Sequence, residues 1–463
     1  MRRIALLAVA ATFIALGAAA QNTDIESLSG LQFNFGNPGA RSLGMGGAFL
    51  GLADDASAAE ANPAGLTILR KPEVSIEVRN YLEQQLLTTS GTFPDIEQTA
   101  FTHYSDRVVP AFGSFVYPIK KFTFGVYFHE VLRNGGSGEV IAQRNELTGR
   151  VEKDVPNFFL PRGGTPTSKA NCDQIKKDTK DPFSCVEFRV IPFLSALDVN
   201  QRTYGFAAAY QVTPKLSVGA NVRYQTFRES SFTFRVTPTF DFSSISVQAT
   251  ADIDSSGDVK LKDETDVTFG VGFKWSPMDK ISIGGVYKKG PEFVAPTFVA
   301  APSTGFDFVK LADTTFHIPD IAGLGISVRP IPVLTVNLDA VHVTYSNLVD
   351  DFVASNEDIR ALDNPYEAKD VTELHFGTEY FFASKIPFAL RAGYWRDPAH
   401  AITFKGPLNT ASRVAEAILF PGSESQNHWS VGAGFAWPKF QIDFAYDSSD
   451  HYKVASISAV TRF

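Results

Sequence analysis

Asp266-Val267-Thr268-Phe269-Gly270-Val271-Gly272-Phe273-Lys274-Trp275 places an apolar side chain at every second position and a small or polar one between. Successive side chains on a strand point to opposite faces, so a strand of this sequence has one apolar and one wet face. The same alternation runs through Leu216 to Gln225 and through Phe440 to Asp447. A soluble β-sandwich and a membrane barrel both produce it. Tyr210, Tyr224, Trp275, Tyr287, Tyr394 and Trp437 favour the barrel, because they stand at the ends of apolar faces, where an interfacial girdle would lie. The chain closes on an aromatic residue, Phe463, after hundreds of residues of such alternation.

The start of the chain has the grammar of export. Met1-Arg2-Arg3 is positive, Ile4 to Leu16 is apolar, and Ala18-Ala19-Ala20 precedes Gln21, which predicts a signal peptide over 1–20. No other stretch is apolar for long enough to be a membrane helix. A closed barrel is then the remaining way to span a bilayer, because every backbone polar group must be paired there. The formal charge of −8, with Lys and Arg dispersed, offers no footprint for nucleic acid.

Punctuation between the strand-like runs alternates between tight and long. Tight turns fall at 118–120, 213–215, 277–280, 330–332, 383–385 and 438–439; long connections fall near 85–107, 132–199, 229–263, 290–312, 347–369 and 397–425. Outer-membrane barrels have short periplasmic turns and long external loops, so the alternation assigns the two sides. The count predicts an all-β fold, a transmembrane antiparallel barrel of about fourteen strands, occupying 71–463. An additional hairpin extension is expected around 230–250.

Ahead of the barrel, 21–70 carries a segment that a plain barrel does not need. It contains Gly39-Ala40-Arg41-Ser42-Leu43-Gly44-Met45-Gly46-Gly47-Ala48-Phe49, then Ala53-Asp54-Asp55-Ala56, then Asn62-Pro63-Ala64-Gly65-Leu66. The glycines permit close approaches in a crowded lumen. Asp54 is a natural N-cap for a short Ala-rich helix through Ser57 to Glu60, which Pro63 ends. A phosphate-binding loop would need a flanking strand and a Lys-Ser/Thr ending that are absent.

These ordered motifs resemble the N-terminal plug, or hatch, of the FadL family of outer-membrane transporters for long-chain fatty acids and other hydrophobic compounds. They also resemble PorV-type barrels of the same wider group, which serve protein secretion. The resemblance implies a plug inside the barrel lumen, with Gly44, Gly46, Gly47, Asp54, Asp55, Asn62, Pro63 and Ala64 as its gating residues. It implies a hydrophobic ligand, outer-membrane lipid and the barrel-assembly machinery as partners, with Phe463 as the assembly signal. It places the protein in the outer membrane of a diderm bacterium. Under the alternative, a secretion or surface-attachment partner would bind the loops.

No nucleophile, metal or phosphate motif stands out, and no enzyme activity, cofactor or metal is expected. His129 and His375 are placed to face the lumen. Asp252, Asp254, Ser256 and Gly257 with Asp263 and Glu264 approximate a calcium loop, but the flanks read as strands rather than helices, so a solvated hairpin tip is expected instead. Cys172 and Cys185 lie in a polar stretch and, in an oxidising envelope, suit a loop disulfide. The long connections are rich in aromatics: Phe158, Phe159, Phe293, Phe298, Phe306 and Phe308 are candidates for ligand capture, or else pack a cap over the barrel.

Overall fold

The computed structural model describes residues 35–89, 99–139, 143–145, 150–152, 157–161, 169–180, 184–189, 193–236, 243–249, 251–253, 259–300, 309–350, 361–407, 420, 425–450 and 452–463. The expected signal peptide, Phe306, Phe308 and 254–258 of the approximate calcium loop lie outside the described residues, as do the side chains of Phe158, Phe159 and Phe298.

Fourteen antiparallel strands close into one barrel. They are β1 (Glu73–Thr89), β2 (Thr99–Ile119), β3 (Phe122–Glu139), β4 (Phe193–Thr213), β5 (Leu216–Val236), β6 (Glu264–Met278) and β7 (Ile281–Lys288), followed by β8 (Ile321–Ile331), β9 (Leu334–Val343), β10 (Val371–Phe382), β11 (Phe388–Asp397), β12 (Gln426–Ala436), β13 (Phe440–Ser448) and β14 (Tyr452–Arg462). Each pairs with the next, and β14 pairs back onto β1 from Glu73↔Arg462 to Glu83↔Tyr452. The backbone amide of Phe463 donates to the Pro72 carbonyl at 3.1 Å, beside that closure. Every tight turn expected from the sequence joins two neighbouring strands at the same end of the barrel, which is therefore the periplasmic end.

The wall is inverted relative to a soluble protein, and this decides between barrel and sandwich. On β10, Leu374 and Phe376 point outward and are about half exposed, whereas Glu373 and His375 point inward and are buried. On the quoted stretch of β6, Val267, Phe269, Val271, Phe273 and Trp275 are the exposed set. A sandwich would bury that face; a barrel gives it to lipid. Tyr117, Trp275, Tyr380 and Trp437 mark the periplasmic edge of the apolar band, and Tyr204, Tyr224 and Trp429 its outer edge, all of them exposed.

β4 and β5 are 21 residues each, about 70 Å of strand where about 10 residues suffice to cross a bilayer. The sheet therefore rises well above the membrane. The expected extension is there: Ser243–Ala249 pairs with the outer end of β5 and with the strand Glu292–Ala300, which pairs in turn with Val309–His317. The outer connection between β3 and β4 also carries a helix, Lys169–Thr179, on which Cys172 is buried and disulfide-bonded.

Candidate functional site

The segment before β1 lies inside the barrel. It forms α1 (Ala40–Leu43), a run of turns, α2 (Ala58–Ala61) and a 3-10 helix, Pro63–Ile68. Most of its residues are buried. So short a segment leaves many backbone groups unpaired, and buried polar groups need partners. The wall supplies them. The Phe49 and Leu50 amides both donate to Asp339 Oδ2 of β9 at 2.7 Å. Gly39 N donates to Glu77 Oε2 of β1 at 2.7 Å, and Ala56 N to Glu73 Oε1 at 2.8 Å. The Ala59 carbonyl accepts from Asn221 Nδ2 at 3.0 Å, and the Gly51 and Leu52 carbonyls accept from Lys274 Nζ.

Two ionic clusters fix the plug at opposite sides. Arg41 makes a bidentate pair with Glu379 of β10, both contacts at 2.9 Å, and reaches Asp54 at 2.5 Å; Arg391 of β11 shares Glu379 at 2.7 Å and holds Asp443 of β13 at 2.9 Å. On α2, Glu60 Oε1 lies 3.2 Å from Arg223 of β5 and 3.0 Å from Lys288 of β7, with His129 Nδ1 of β3 at 3.9 Å. Burial would raise the Glu60 carboxyl, but the two cations beside it hold it well below the ordinary carboxylate range.

Asn62 is the hinge between α2 and the 3-10 helix, and it is fully buried. Its Nδ2 donates to the Leu50 carbonyl at 3.2 Å and to the Phe273 carbonyl of β6 at 3.1 Å, while its Oδ1 accepts from Ala64 N at 3.3 Å. One amide thus ties the plug to itself and to the wall. The approach is possible because the wall is bare there: a Cβ at Gly272 or Gly284 would collide with Asn62, and one at Gly284 also with the Leu50 carbonyl. Gly46 adopts φ +64°, a conformation that suits glycine, and rests on the backbone of Tyr394.

The capping of α2 departs from the sequence expectation. Asp54 does not cap α2: its carboxylate faces Arg41 and Arg329, and Ser57 occupies the N-cap position. Asp55 takes the local role, its Oδ1 accepting from Ser57 N at 2.9 Å and from Ser57 Oγ at 2.5 Å. The Arg41 guanidinium competes for Asp54 with charge, which a backbone amide cannot match. Pro63 ends α2 and also opens the next helix at its first position, where a missing N–H costs nothing. Both histidines do face inward, His375 with Nδ1 2.7 Å from the Gly46 carbonyl and His129 beside Glu60.

Above the plug, on the outer side, the lumen is apolar. Phe227 and Phe293 stack at 4.9 Å with Phe316 at 5.9 Å, and Tyr366, Phe404 and Phe420 form a second aromatic group in the same cluster. Of the expected capture residues, Phe293 is the one whose side chain is described, and it sits buried inside this cluster rather than exposed on a loop. A belt of amides and hydroxyls, Gln201, Thr203, Gln225 and Thr268, separates cluster from plug.

Among the described residues, the wall parts between β2 and β3. β2 and β3 pair from Ile119↔Phe122 to Phe112↔His129, and among the described residues they pair no further. Beyond that point β2 stays with β1 up to Thr89↔Thr99, and β3 stays with β4 up to Glu139↔Leu194. Each of the two strands carries a bulge at the fork, at Ala111 and at Val131 respectively. Bulges twist a strand away from its neighbour, and Pro110 has no N–H to offer across the gap. A cavity of about 570 Å³ occupies the fork, lined by Arg107, Val108, Val109, Pro110, Phe128, Glu130 and Arg202.

Neither ionic cluster nor the fork was singled out from the sequence. The signal available was a charged residue on the inward face of an otherwise regular strand, as with Arg223 between Val222 and Tyr224, and a proline inside a strand pattern, as with Pro110.

The family model described as outer membrane protein transport protein (OMPP1/FadL/TodX) matches residues 194–459, more than half of the chain. Among solved structures, the fold is similar to the CymD monoaromatic hydrocarbon channel, with a TM-score of 0.57 and 19% identity over 93% of this chain and 99% of that one. It is also similar to a Pseudomonas aeruginosa FadL homologue, with a TM-score of 0.60 and 14% identity, and to the P. putida toluene transporter TodX, with a TM-score of 0.55 and 14% identity, each over 93% of this chain and 99% of the other. No curated protein sequence matches the chain. Nothing in these comparisons supports the alternative of a secretion partner. The chain belongs to the OMPP1/FadL/TodX family of outer membrane transport proteins, channel and transporter barrels of the outer membrane of Gram-negative bacteria.

Proposed function

We propose that this protein admits hydrophobic compounds through the outer membrane, with long-chain fatty acids or related lipids and hydrocarbons as cargo, the plug as gate and the fork between β2 and β3 as exit. The parting of the two strands beyond Phe112↔His129 carries the reading. The fork begins at the outer aromatic edge, since Phe128, one residue before the last β2–β3 pair, is paired with Tyr204. The fork opens beside His129 and Tyr127, at the level of the Glu60 cluster on the plug. The aromatic cluster above the plug would take the ligand from outside, and a shift of the plug would let it pass toward the fork. The structures to which the fold is similar include a toluene transporter and a monoaromatic hydrocarbon channel, which agrees with an apolar cargo. No energy source is required, since an apolar solute partitions toward whatever consumes it.

Uptake of radiolabelled hexadecanoate and of labelled toluene by cells displaying the folded barrel tests this. Uptake above that of cells lacking the protein, without salt conductance in planar bilayers, is expected. Conductance without uptake would make the protein a porin and overturn the proposal.

A further inference from the structure

The end of the barrel that carries the tight turns is ringed with cations. Lys120 and Lys121, Lys215, Lys280, Lys385 and Lys439 stand in five of the six turns and are exposed. Arg329 flanks the sixth turn, and Arg70 and Lys71 lead into β1, all of them exposed as well. Against these, Asp279 is the one exposed acidic side chain at this end among the described residues. Composition does not account for the imbalance, because the whole chain has 42 Lys and Arg against 50 Asp and Glu. Among the described residues, Arg329 alone of these cations meets a carboxylate, Asp54 of the plug at 3.5 Å. Two of the lysines reach sideways along the rim: Lys215 Nζ donates to the Pro277 carbonyl at 2.9 Å and Lys280 Nζ to the Pro330 carbonyl at 3.2 Å, each at the neighbouring turn. One carbonyl leaves an ammonium with further N–H groups to give. Lys120 holds φ +57°, a conformation that glycine or asparagine adopts more readily, so the shape of its turn does not call for lysine. Lys120 follows Tyr117 by three positions and Lys439 follows Trp437 by two. At about 3.3 Å per residue, the ammonium groups stand just past the periplasmic aromatic edge, at the depth of the phospholipid headgroups.

We propose that this ring is a binding surface for anionic phospholipid of the periplasmic leaflet, its lysines holding the phosphates of net-negative headgroups, such as phosphatidylglycerol, in a belt around the barrel. The placement fits lipid better than a protein partner. Cations occur at every turn around the circumference, whereas a docked protein would meet one sector or cover the mouth, where Arg329 is already paired with the plug. Ile119, Phe122, Met278 and Phe440, beside the lysines in the chain, are exposed and apolar. An acyl chain lying on that surface brings its headgroup within reach of the ammonium groups, with each lysine stem on lipid and its head in the interface. A lysine is a compact charge on a flexible stem and attracts a phosphate without fixing its orientation, which suits a ring of exchanging headgroups rather than one seated ligand. The ring is independent of the cargo and of the route by which cargo leaves.

The test is native mass spectrometry of the full chain in detergent, with phosphatidylglycerol and phosphatidylethanolamine of matched acyl chains added in equal amounts. Phosphatidylglycerol should be retained at least about fivefold over phosphatidylethanolamine, the factor that one basic residue contributes at a charged lipid surface. The preference should vanish in about 1 M ammonium acetate, where the screening length falls to about 3 Å; this arm needs no variant. Lys120→Gln/Lys215→Gln/Lys280→Gln/Lys385→Gln/Lys439→Gln should abolish the preference, and arginine at the same positions should keep it, with heat-modifiable gel migration confirming that each variant is folded. Lys310→Gln/Lys405→Gln, which removes exposed charge on the outer side, should leave it unchanged. Equal retention of the two lipids, a preference that survives high salt or the glutamine substitutions, or one lost in the outer variant would each overturn the proposal. Preferential retention of poly-glutamate over phosphatidylglycerol from one mixture would assign the ring to an acidic protein and overturn it too.

Discussion

Asn62→Ala removes one small amide and, with it, the junction of plug and wall. Three hydrogen bonds disappear, to the Leu50 carbonyl, the Phe273 carbonyl and the Ala64 amide. Each is worth about 0.5–1.5 kcal/mol net, and a buried group left without a partner costs about 1–3 kcal/mol. Some relaxation will offset this, so a loss of about 2–4 kcal/mol in plug docking is expected, which is a thirty- to several-hundred-fold rise in the population with this corner released. The strand ladder does not pass through the Asn62 side chain, so the heat-modifiable gel shift should be preserved. Pro63→Ala removes no hydrogen bond and should cost only about 0.4–1 kcal/mol, through the greater freedom of the unfolded chain. The assay is uptake of labelled hexadecanoate per folded barrel, measured beside salt conductance in planar bilayers for both variants. Uptake or conductance should change in Asn62→Ala and hardly at all in Pro63→Ala. Equal behaviour of the two variants, or Asn62→Ala indistinguishable from the wild type, would refute the assignment of Asn62 as the plug's anchor.

Gly284→Val places a side chain against the Leu50 carbonyl and Asn62; it should leave the barrel folded but displace the plug, seen as new protease cleavage within 35–70. Glu60→Gln strands Arg223 and Lys288 beside a neutral partner and should cost docking about 3–5 kcal/mol, read by the same cleavage. Because the folded-state pKa of Glu60 is depressed, its contribution is complete above the unfolded value of about 4.3 and is lost only as pH falls through the lower folded value. Glu60 should therefore give plug protection no pH dependence from about pH 8 down to about pH 5; a loss within that interval that Glu60→Gln abolishes would contradict the pairing. Thiol labelling of unreduced, denatured protein should modify neither Cys172 nor Cys185, and two labelled cysteines per chain would contradict a loop disulfide.

The barrel was legible because a strand's alternation is local: Val267 to Trp275 declare their faces without reference to anything distant. The turns were legible for the same reason, since Thr213-Pro214-Lys215 can hardly be strand interior. The plug's contacts were not, because they join residues hundreds of positions apart, such as Arg41 and Glu379. Wall glycines illustrate the difficulty. In the alternating pattern Gly272 and Gly284 read as small members of the wet face, and only the placed plug reveals that its backbone lies directly on them. The misassigned cap has a similar cause: a distant arginine holds Asp54, while Asp55 turns onto Ser57, which stands at the N-cap. The fork at Ala111 and Val131 depends on two bulges in register across strands, and an extra residue in a strand has no mark of its own in the sequence.

The proposed exit through the wall is tested by bridging the fork. Val109 and Val131 are buried on either side of the fork, beyond the last β2–β3 pair, and a cysteine at each position gives a pair that a reducible bis-thiosulfonate linker can join across the gap. Uptake of labelled hexadecanoate is measured in that double variant, cross-linked and then reduced, with each single cysteine as control and the gel shift as the measure of folding. Loss of uptake on cross-linking and its return on reduction is the predicted result. Full uptake with the linker in place would show that cargo leaves by another route.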